Sequence, residues 1–182
     1  RGGTPRARAL AGGALSQGRP PAIRPRRGVA HLGALPDGDL SARDNPIAWW
    51  LDDEKPDIVV HLAAQVSRLL SEQDPRNTVM CNAVATTNVA IACARRGLRL
   101  VYASTGDVYG YQGEKVCDET TSEFNSQSIY AMTKHWGEEV CRLYVKPENL
   151  LIIRINMSYG PGQAPMREDT VRYFAQCQAK YG

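Results

Sequence analysis

Long apolar runs, paired cysteines and histidines are scarce in this chain of 182 residues. No uninterrupted apolar stretch approaches the ~18 residues of a membrane-spanning helix, and the start lacks the apolar core of a secretory signal. With three histidines and five scattered cysteines, none of them in a C-x-x-C pair, no zinc-binding spacing exists. These absences predict a cytoplasmic protein with reduced thiols, without a metal and without a membrane partner.

Lysine and acidic residues are missing from residues 1–36, although seven arginines lie there. Arg, Gly, Pro and Ala make up 26 of these residues, and no helical or strand periodicity is visible. Such a composition buries too little apolar surface to offset the entropy lost on folding. The sequence therefore predicts two parts: an irregular segment over 1–36, disordered or not native to the fold, and a folded domain over 37–182.

Three interpretations of residues 1–36 compete. The segment is a basic arm for nucleic acid or acidic lipid, an arginine-rich transit peptide, or a stretch whose reading frame does not match the rest. The abrupt change of composition near Asp37 favours the frame mismatch, with a flexible tail next. A nucleic-acid partner is least favoured, because the sequence shows no folded nucleic-acid-binding module beside the arginines.

Beyond Asp37, strand-like and helix-like stretches alternate. Continuous apolar runs, typical of parallel strands buried on both faces, occupy 57–64, 98–104 and 150–155. Helices are predicted from a cap at Ser41 to near Pro56, over 75–96 with a stop at Gly97, over 129–144 and over 169–180. The alternation predicts βαβ units and an α/β fold with a parallel sheet.

Chemically informative residues follow each predicted strand. The segments are 61–64, 104–107 and 156–159, and ligands of open parallel sheets bind beyond the carboxyl ends of the strands. Tyr130 and Lys134 are four residues apart in a predicted helix and so share a face. An ammonium beside a phenol lowers the phenol's pKa, which suits Tyr130 for proton transfer, and Thr105 could orient the same oxygen.

Five ordered motifs carry a resemblance to a known family. They are Gly38-Asp-Leu40, His61-Leu-Ala-Ala64, Val101-Tyr-Ala-Ser-Thr-Gly-Asp-Val-Tyr-Gly110, Tyr130-Ala-Met-Thr-Lys134 and Arg154-Ile-Asn-Met-Ser-Tyr-Gly-Pro-Gly162. In order and spacing they resemble the extended short-chain dehydrogenases/reductases, which include NAD-dependent nucleotide-sugar epimerases and dehydratases. The resemblance implies a Rossmann-like sheet with flanking helices, NAD or NADP as cofactor, a nucleotide-sugar substrate and a homodimeric parent protein.

The resemblance also implies roles for individual residues. Thr105, Tyr130 and Lys134 match the catalytic triad, and Lys134 also reaches the nicotinamide ribose. His61 is expected to be a hydrogen-bonded structural residue. The residues matched to cofactor contacts, besides Tyr130 and Lys134, are Asp39 and Leu40 at the adenine, Leu62, Ala63 and Ala64 beneath the ribose and pyrophosphate, and Asn82.

The chain departs from the family at its start and end. Gly2-Gly3 and Gly12-Gly13 do not form the spaced glycine fingerprint, and neither a strand before them nor an apolar helix after them is predicted. The acidic residue on the adenosine ribose and the substrate-binding lobe beyond Gly182 are missing as well. We therefore expect a fold incomplete at both ends that binds NAD weakly or not at all. The alternative to an enzyme is a non-catalytic fragment or binding module.

Two further departures concern the substrate. The 4,6-dehydratases of the family have two acids after the catalytic threonine, where this chain has Gly106 and Asp107. The resemblance thus favours an epimerase or reductase, with Asp107 as a candidate substrate contact. The family's phosphate-contacting asparagine falls at Met157, while Asn156 lies one residue earlier as a second candidate.

Overall fold

The computed structural model describes residues 7–10, 29–32, 39–113, 115–120 and 122–156, and five strands form one parallel sheet in it. In chain order the strands are β1 (Ala7–Leu10), β2 (Val29–Leu32), β3 (Ile58–His61), β4 (Arg99–Thr105) and β5 (Leu150–Ile155). Across the sheet their order is β2-β1-β3-β4-β5, and every neighbouring pair is parallel. The predicted α/β class, a Rossmann-like parallel sheet with flanking helices, is confirmed.

Two strands lie within residues 1–36, where the sequence predicts none. β1 pairs with β2 on one side and with β3 on the other. The expectation that residues 1–36 stay apart from the sheet is therefore wrong for these strands, because pairing with neighbours, and not local composition, satisfies their backbone groups. A strand does precede Gly12-Gly13 in the chain. The glycines themselves lie outside the described residues.

The other three strands are adjacent and parallel, as predicted. His61 at the end of β3 pairs with Tyr102, and Thr105 at the end of β4 pairs with Ile155. β5 has the predicted bounds, whereas β3 is shorter than the apolar run 57–64. In this strand order the chain reverses direction across the sheet between β1 and β3, so the residues after β3 lie where ligands of doubly wound folds bind.

The helices are α1 (Ile47–Glu54), α2 (Arg68–Gln73), α3 (Pro75–Thr78), α4 (Ala85–Arg96) and α5 (Ile129–Tyr144). A π-helical segment, Val79–Val84, joins α3 to α4, so the predicted helix over 75–96 is present with an irregular middle. Gly97 ends it in the left-handed conformation, as predicted (φ 62°). Ser41 does not cap α1; its backbone and hydroxyl both donate to Asp39. The predicted helix over 169–180 lies outside the described residues.

The main core lies between the helices and the sheet. α4 packs on β3 and β4, α5 packs on β4 and β5, and α1 packs on α4. Fully buried core side chains include Ile47, Leu51, Val59, Val89, Leu100 and Tyr102. Of the cysteines, Cys93 and Cys141 are buried, Cys81 is half-buried and Cys117 is exposed; Cys177 lies outside the described residues. Among the described helices none is long and apolar enough to cross a bilayer.

Candidate active site

The ends of β4 and β5 lie side by side. Thr105 is buried, and its Oγ1 accepts a hydrogen bond from the backbone N–H of Asp107 at 3.2 Å, which caps the 3-10 turn Gly106–Tyr109. A β-carbon built on Gly106 would lie 3.5 Å from the Oδ1 of Asn156, the residue that follows β5. The two candidate substrate contacts, Asp107 and Asn156, therefore stand at the same edge of the sheet as Thr105, and both are exposed.

The first turn of α5 carries Tyr130 to this edge. The Ser128 hydroxyl accepts from the N–H of Ala131 at 3.2 Å, and a Glu72 carboxylate oxygen from α2 accepts from the N–H of Ile129 at 3.2 Å. Both bonds fix the start of the helix, whose free N–H groups need partners. The Thr105 side chain lies close enough to the Tyr130 phenol to act on its pKa. The structure thus brings together two of the residues matched to the catalytic triad.

Lys134 lies one turn further along α5 and is buried. Its Nζ donates to the carbonyl of Ala103 at 2.7 Å and lies 5.1 Å from the centre of the Tyr102 ring. Burial lowers the pKa of Lys134 to about 8, against an opposing effect of Cys141. The third triad residue therefore contacts the same strand, β4, that ends in Thr105.

The pKa of Tyr130 departs from the sequence-based expectation. Lys134 is expected to lower it, but the pKa is raised: burial raises it, the hydrogen bond with Thr105 acts to lower it, and the Asp107 carboxylate raises it further. The reason is positional, since the Lys134 ammonium is bonded to the Ala103 carbonyl. The expected direction is wrong, and the Tyr130 phenol is protonated at neutral pH.

The buried ammonium predicts a pH dependence of stability. Between pH 8 and 10.5 the unfolded chain holds the Lys134 proton and the folded chain has released it, so folding becomes more favourable as pH rises. In Lys134→Met this gain is absent. We expect the unfolding free energy of wild type minus variant to rise by roughly 2–3 kcal/mol between pH 7 and 10, measured by urea denaturation.

The control for this measurement is Lys146→Met, which removes a lysine that is exposed. Its unfolding free energy should stay within about 0.5 kcal/mol of wild type across the range. If the difference in unfolding free energy between wild type and Lys134→Met does not change with pH, burial does not disfavour the Lys134 ammonium as assigned.

Asn82 ties the loop after β3 to α5. The asparagine is buried in the π-helical segment; its Oδ1 accepts from the N–H of Gln65 at 2.7 Å, and its Nδ2 donates to the Gln65 carbonyl at 3.1 Å and to Thr133 Oγ1 at 3.2 Å. π-helical turns often occur at functional sites. These bonds fix the backbone directly after Leu62, Ala63 and Ala64, the segment matched to the cofactor.

Asp39 and Leu40 are held against the same long helix. The Leu40 carbonyl accepts from Asn88 Nδ2 of α4 at 2.7 Å. Asp39 is exposed, and the hydrogen bonds from the Ser41 side chain and backbone hold its carboxyl pKa below the usual value. Asp39 and Leu40, the residues matched to the adenine contact, therefore lie beside α4, which continues the π-helical segment that contains Asn82.

His61 is fully buried, and one ring nitrogen lies 3.0 Å from Thr86 Oγ1 while the ring stacks on Tyr102. Burial lowers its pKa to about 3, helped by the charge of Lys134, so the imidazole is neutral. The prediction of a hydrogen-bonded structural histidine is confirmed. Within the described residues no group of three or more His, Cys, Asp or Glu side chains could hold a metal ion.

One cluster at the site was not identified from the sequence. Glu138 is fully buried beneath β4 and β5 and bonds to Ser104 and Arg154, and Arg154 in turn bonds to Tyr109. A signal did exist: Glu138 follows Lys134 by four residues in an amphipathic helix and therefore shares its inward face.

Comparisons with known proteins give the family of the chain and similar folds. The chain matches the family model "NAD dependent epimerase/dehydratase family" over residues 14–180. It is 33% identical over 129 residues to UDP-glucose 4-epimerase of Mycolicibacterium smegmatis, covering 69% of this chain and 41% of that protein.

Two solved structures are similar as well. UDP-glucose 4-epimerase of Thermus thermophilus, in complex with NAD, superposes with a TM-score of 0.66 at 29% identity, covering 82% of this chain and 48% of that one. RMD of Pseudomonas aeruginosa, complexed with NADPH, superposes with a TM-score of 0.65 at 28% identity, covering 89% and 55%.

The chain spans 26–41% of the length of curated relatives that it matches and about half of these solved structures. The family match covers most of the chain, including residues 14–36, and the site geometry lies inside it. The chain belongs to the NAD dependent epimerase/dehydratase family.

Proposed function

We propose that this protein acts on nucleotide-linked sugars with a nicotinamide dinucleotide, as an epimerase or a reductase. The observation that carries the proposal is the placement of Tyr130 beside Thr105 at the carboxyl edge of the sheet, with Lys134 one turn along α5 and bonded to the same strand. A hydroxyl pair at that edge can share a proton with a sugar oxygen placed against it. The names of the relatives, an epimerase on UDP-glucose among them, agree with this class of substrate.

In this proposal the phenol of Tyr130 gives its proton to a sugar carbonyl oxygen, and in the reverse direction the resulting phenolate takes a proton from a sugar hydroxyl. Thr105 orients that oxygen, since its side chain lies beside the Tyr130 phenol. Lys134 contributes positive charge, because a pKa of about 8 leaves its ammonium protonated at neutral pH. Each step needs only a short proton transfer between groups the fold holds in place.

The described residues fit a dinucleotide at the point where the sheet reverses. Asn82 fixes the backbone directly after Leu62–Ala64, the Lys134 ammonium from α5 bonds to the neighbouring strand β4, and Asp39 offers an exposed carboxylate. We assign the Leu62–Ala64 backbone to the ribose and pyrophosphate of the cofactor. Lys134 is assigned to the nicotinamide ribose, and Asp39 with Leu40 to the adenine end. When bound, NAD or NADP would supply the hydride acceptor and donor.

Asp107 and Asn156 are proposed as the substrate contacts. Gly106 leaves room beside Asn156, where an acidic side chain in its place would meet the amide. One carboxylate next to Thr105, in place of two, offers no acid–base pair for eliminating water, so we assign an epimerase or reductase and not a 4,6-dehydratase. Homodimeric assembly and a cytoplasmic location remain predictions from the sequence.

The test combines cofactor binding with turnover. The purified chain is titrated with NAD and NADP by calorimetry and then incubated with either cofactor and UDP-glucose, UDP-glucuronate or a GDP-linked deoxysugar. We expect weak binding, because Ala11-Gly12-Gly13 lacks the spaced glycines of a tight phosphate loop, and conversion of at least one sugar at high cofactor concentration. Cofactor binding with no sugar converted or oxidised would overturn the proposed activity.

A further inference from the structure

Among the described residues near the site, Glu138 is the buried charged side chain with the most hydrogen bonds. Arg154 of β5 donates to both carboxylate oxygens, with its Nε 2.9 Å from Oε1 and its Nη2 2.7 Å from Oε2. Ser104 of β4 donates to Oε1 at 2.5 Å. Arg142, four residues along α5, adds a bond at 3.0 Å. Burial acts to raise the carboxyl pKa, but the bonds from Arg154 and Ser104 outweigh it, so the pKa lies below the usual value.

Arg154 extends the cluster to the turn after β4. Its Nη1 donates to the Tyr109 hydroxyl at 2.7 Å, and its guanidinium carbon lies 4.8 Å from the centre of the Tyr109 ring. Tyr109 ends the 3-10 turn in which the backbone N–H of Asp107 donates to Thr105 Oγ1. One carboxylate therefore connects α5, β4, β5 and the turn, the four elements that hold Tyr130, Thr105, Asn156 and Asp107.

We propose that Glu138 is a positioning residue: through Ser104 and Arg154 it fixes the spacing between Tyr130 on α5 and Thr105 on β4. The inference rests on the proposed function for its effect on turnover. Ser104 directly precedes Thr105, and Glu138 lies two helical turns from Tyr130 on the same inward side, so a shift of the carboxylate moves α5 relative to the end of β4. A displacement of about 1 Å can lower a rate about 10²-fold.

Glu138→Gln keeps the shape of the side chain and removes its charge. We expect kcat for the converted nucleotide sugar to fall roughly 10–100-fold while KM changes less than about threefold, because the residue contacts neither sugar nor cofactor. The second readout is independent of turnover: the Thr105 methyl resonance in a threonine-labelled sample, assigned with Thr105→Ser. It should move in the same direction as in Tyr130→Phe, because both changes alter the surroundings of the Thr105 side chain on the side of Tyr130.

The matched control is Glu139→Gln, the next residue on α5. Glu139 is exposed and also pairs with Arg142, at 2.6 Å, so the variant removes a carboxylate and an arginine contact while Ser104 and Arg154 keep their bonds to Glu138. Its kcat and its Thr105 resonance should match wild type. Equal behaviour of Glu138→Gln and Glu139→Gln in both readouts would overturn the proposal.

A double variant separates positioning from folding. Glu138→Gln alone leaves Arg154 without its carboxylate and lowers stability, whereas Glu138→Gln with Arg154→Met leaves no unpaired charge. Stability should return in the double variant while kcat stays low and the Thr105 resonance stays displaced. Recovery of kcat together with stability would show that Glu138 acts only through folding. If wild type converts no sugar, the proposed function fails, and the Thr105 resonance still decides the positioning role.

Discussion

Replacing Tyr130 with Phe should lower turnover of the nucleotide sugar about 10²–10⁴-fold, the usual contribution of a placed acid or base. The phenylalanine ring keeps the packing of the tyrosine, and only the phenol oxygen beside Thr105 disappears. Cofactor affinity should change little, because the ring and the Lys134 ammonium remain. Steady-state kinetics and calorimetry with NAD measure the two effects separately.

The control for this change is Tyr144→Phe, which removes the hydroxyl of an exposed tyrosine at the far end of the same helix. Thr105→Ser should be mild, because the hydroxyl remains, and Thr105→Val should be about as severe as Tyr130→Phe. Near-normal turnover by Tyr130→Phe would contradict the assignment and leave the family fold without this chemistry.

The sequence was sufficient for elements whose residues carry a strong local pattern. β5 and α5 have the predicted bounds, because a largely apolar stretch and an amphipathic stretch behind a capping serine specify them without help from distant residues. Gly97 ends α4 as expected, since a left-handed residue there avoids the strain of a β-carbon. The sequence predicted Thr105 at the site because the ends of parallel strands lie at one edge of the sheet. It predicted Tyr130 there from its four-residue spacing with Lys134 on the helix that follows.

Elements formed by distant partners could not be predicted. β1 and β2 are four residues long, lie in an arginine- and proline-rich context, and owe their strand conformation to pairing in the sheet. The π-helical segment is shaped by Asn82, whose partners Gln65 and Thr133 are 17 residues before it and 51 after it. The pKa of Tyr130 depends on burial, which the spacing of Tyr130 and Lys134 does not reveal.

Gly137 shows how a small residue sets the spacing between α5 and β4. The Tyr102 side chain of β4 is fully buried beneath the helix, and its hydroxyl donates to the Lys134 carbonyl at 3.3 Å. A β-carbon at Gly137 would lie 2.2 Å from that hydroxyl oxygen and 2.7 Å from the ring carbon that bears it. The absence of a side chain at Gly137 therefore allows the close approach that brings Lys134 to the Ala103 carbonyl.

Gly137→Ala should accordingly destabilise the fold, although alanine favours a helix interior by up to about 1 kcal/mol over glycine. Overpacking against a buried ring costs typically about 1–3 kcal/mol, and here the oxygen cannot move aside without losing its bond to Lys134. We expect a net loss of about 2 kcal/mol in unfolding free energy, measured by urea denaturation. Turnover should fall as well, because the displaced helix carries Tyr130.

The partner change in a double-mutant cycle is Tyr102→Phe, which removes the oxygen of the 2.2 Å contact and leaves the 2.7 Å contact with the ring. The relief should therefore be partial: Gly137→Ala should cost less in the Tyr102→Phe background than in wild type, with a coupling of about 0.5–3 kcal/mol. Strict additivity of the two changes would contradict the geometry, because it would mean that the added methyl group never meets the phenol. A stabilising Gly137→Ala would go further and show that helix propensity, and not the approach of Tyr102, decides this position.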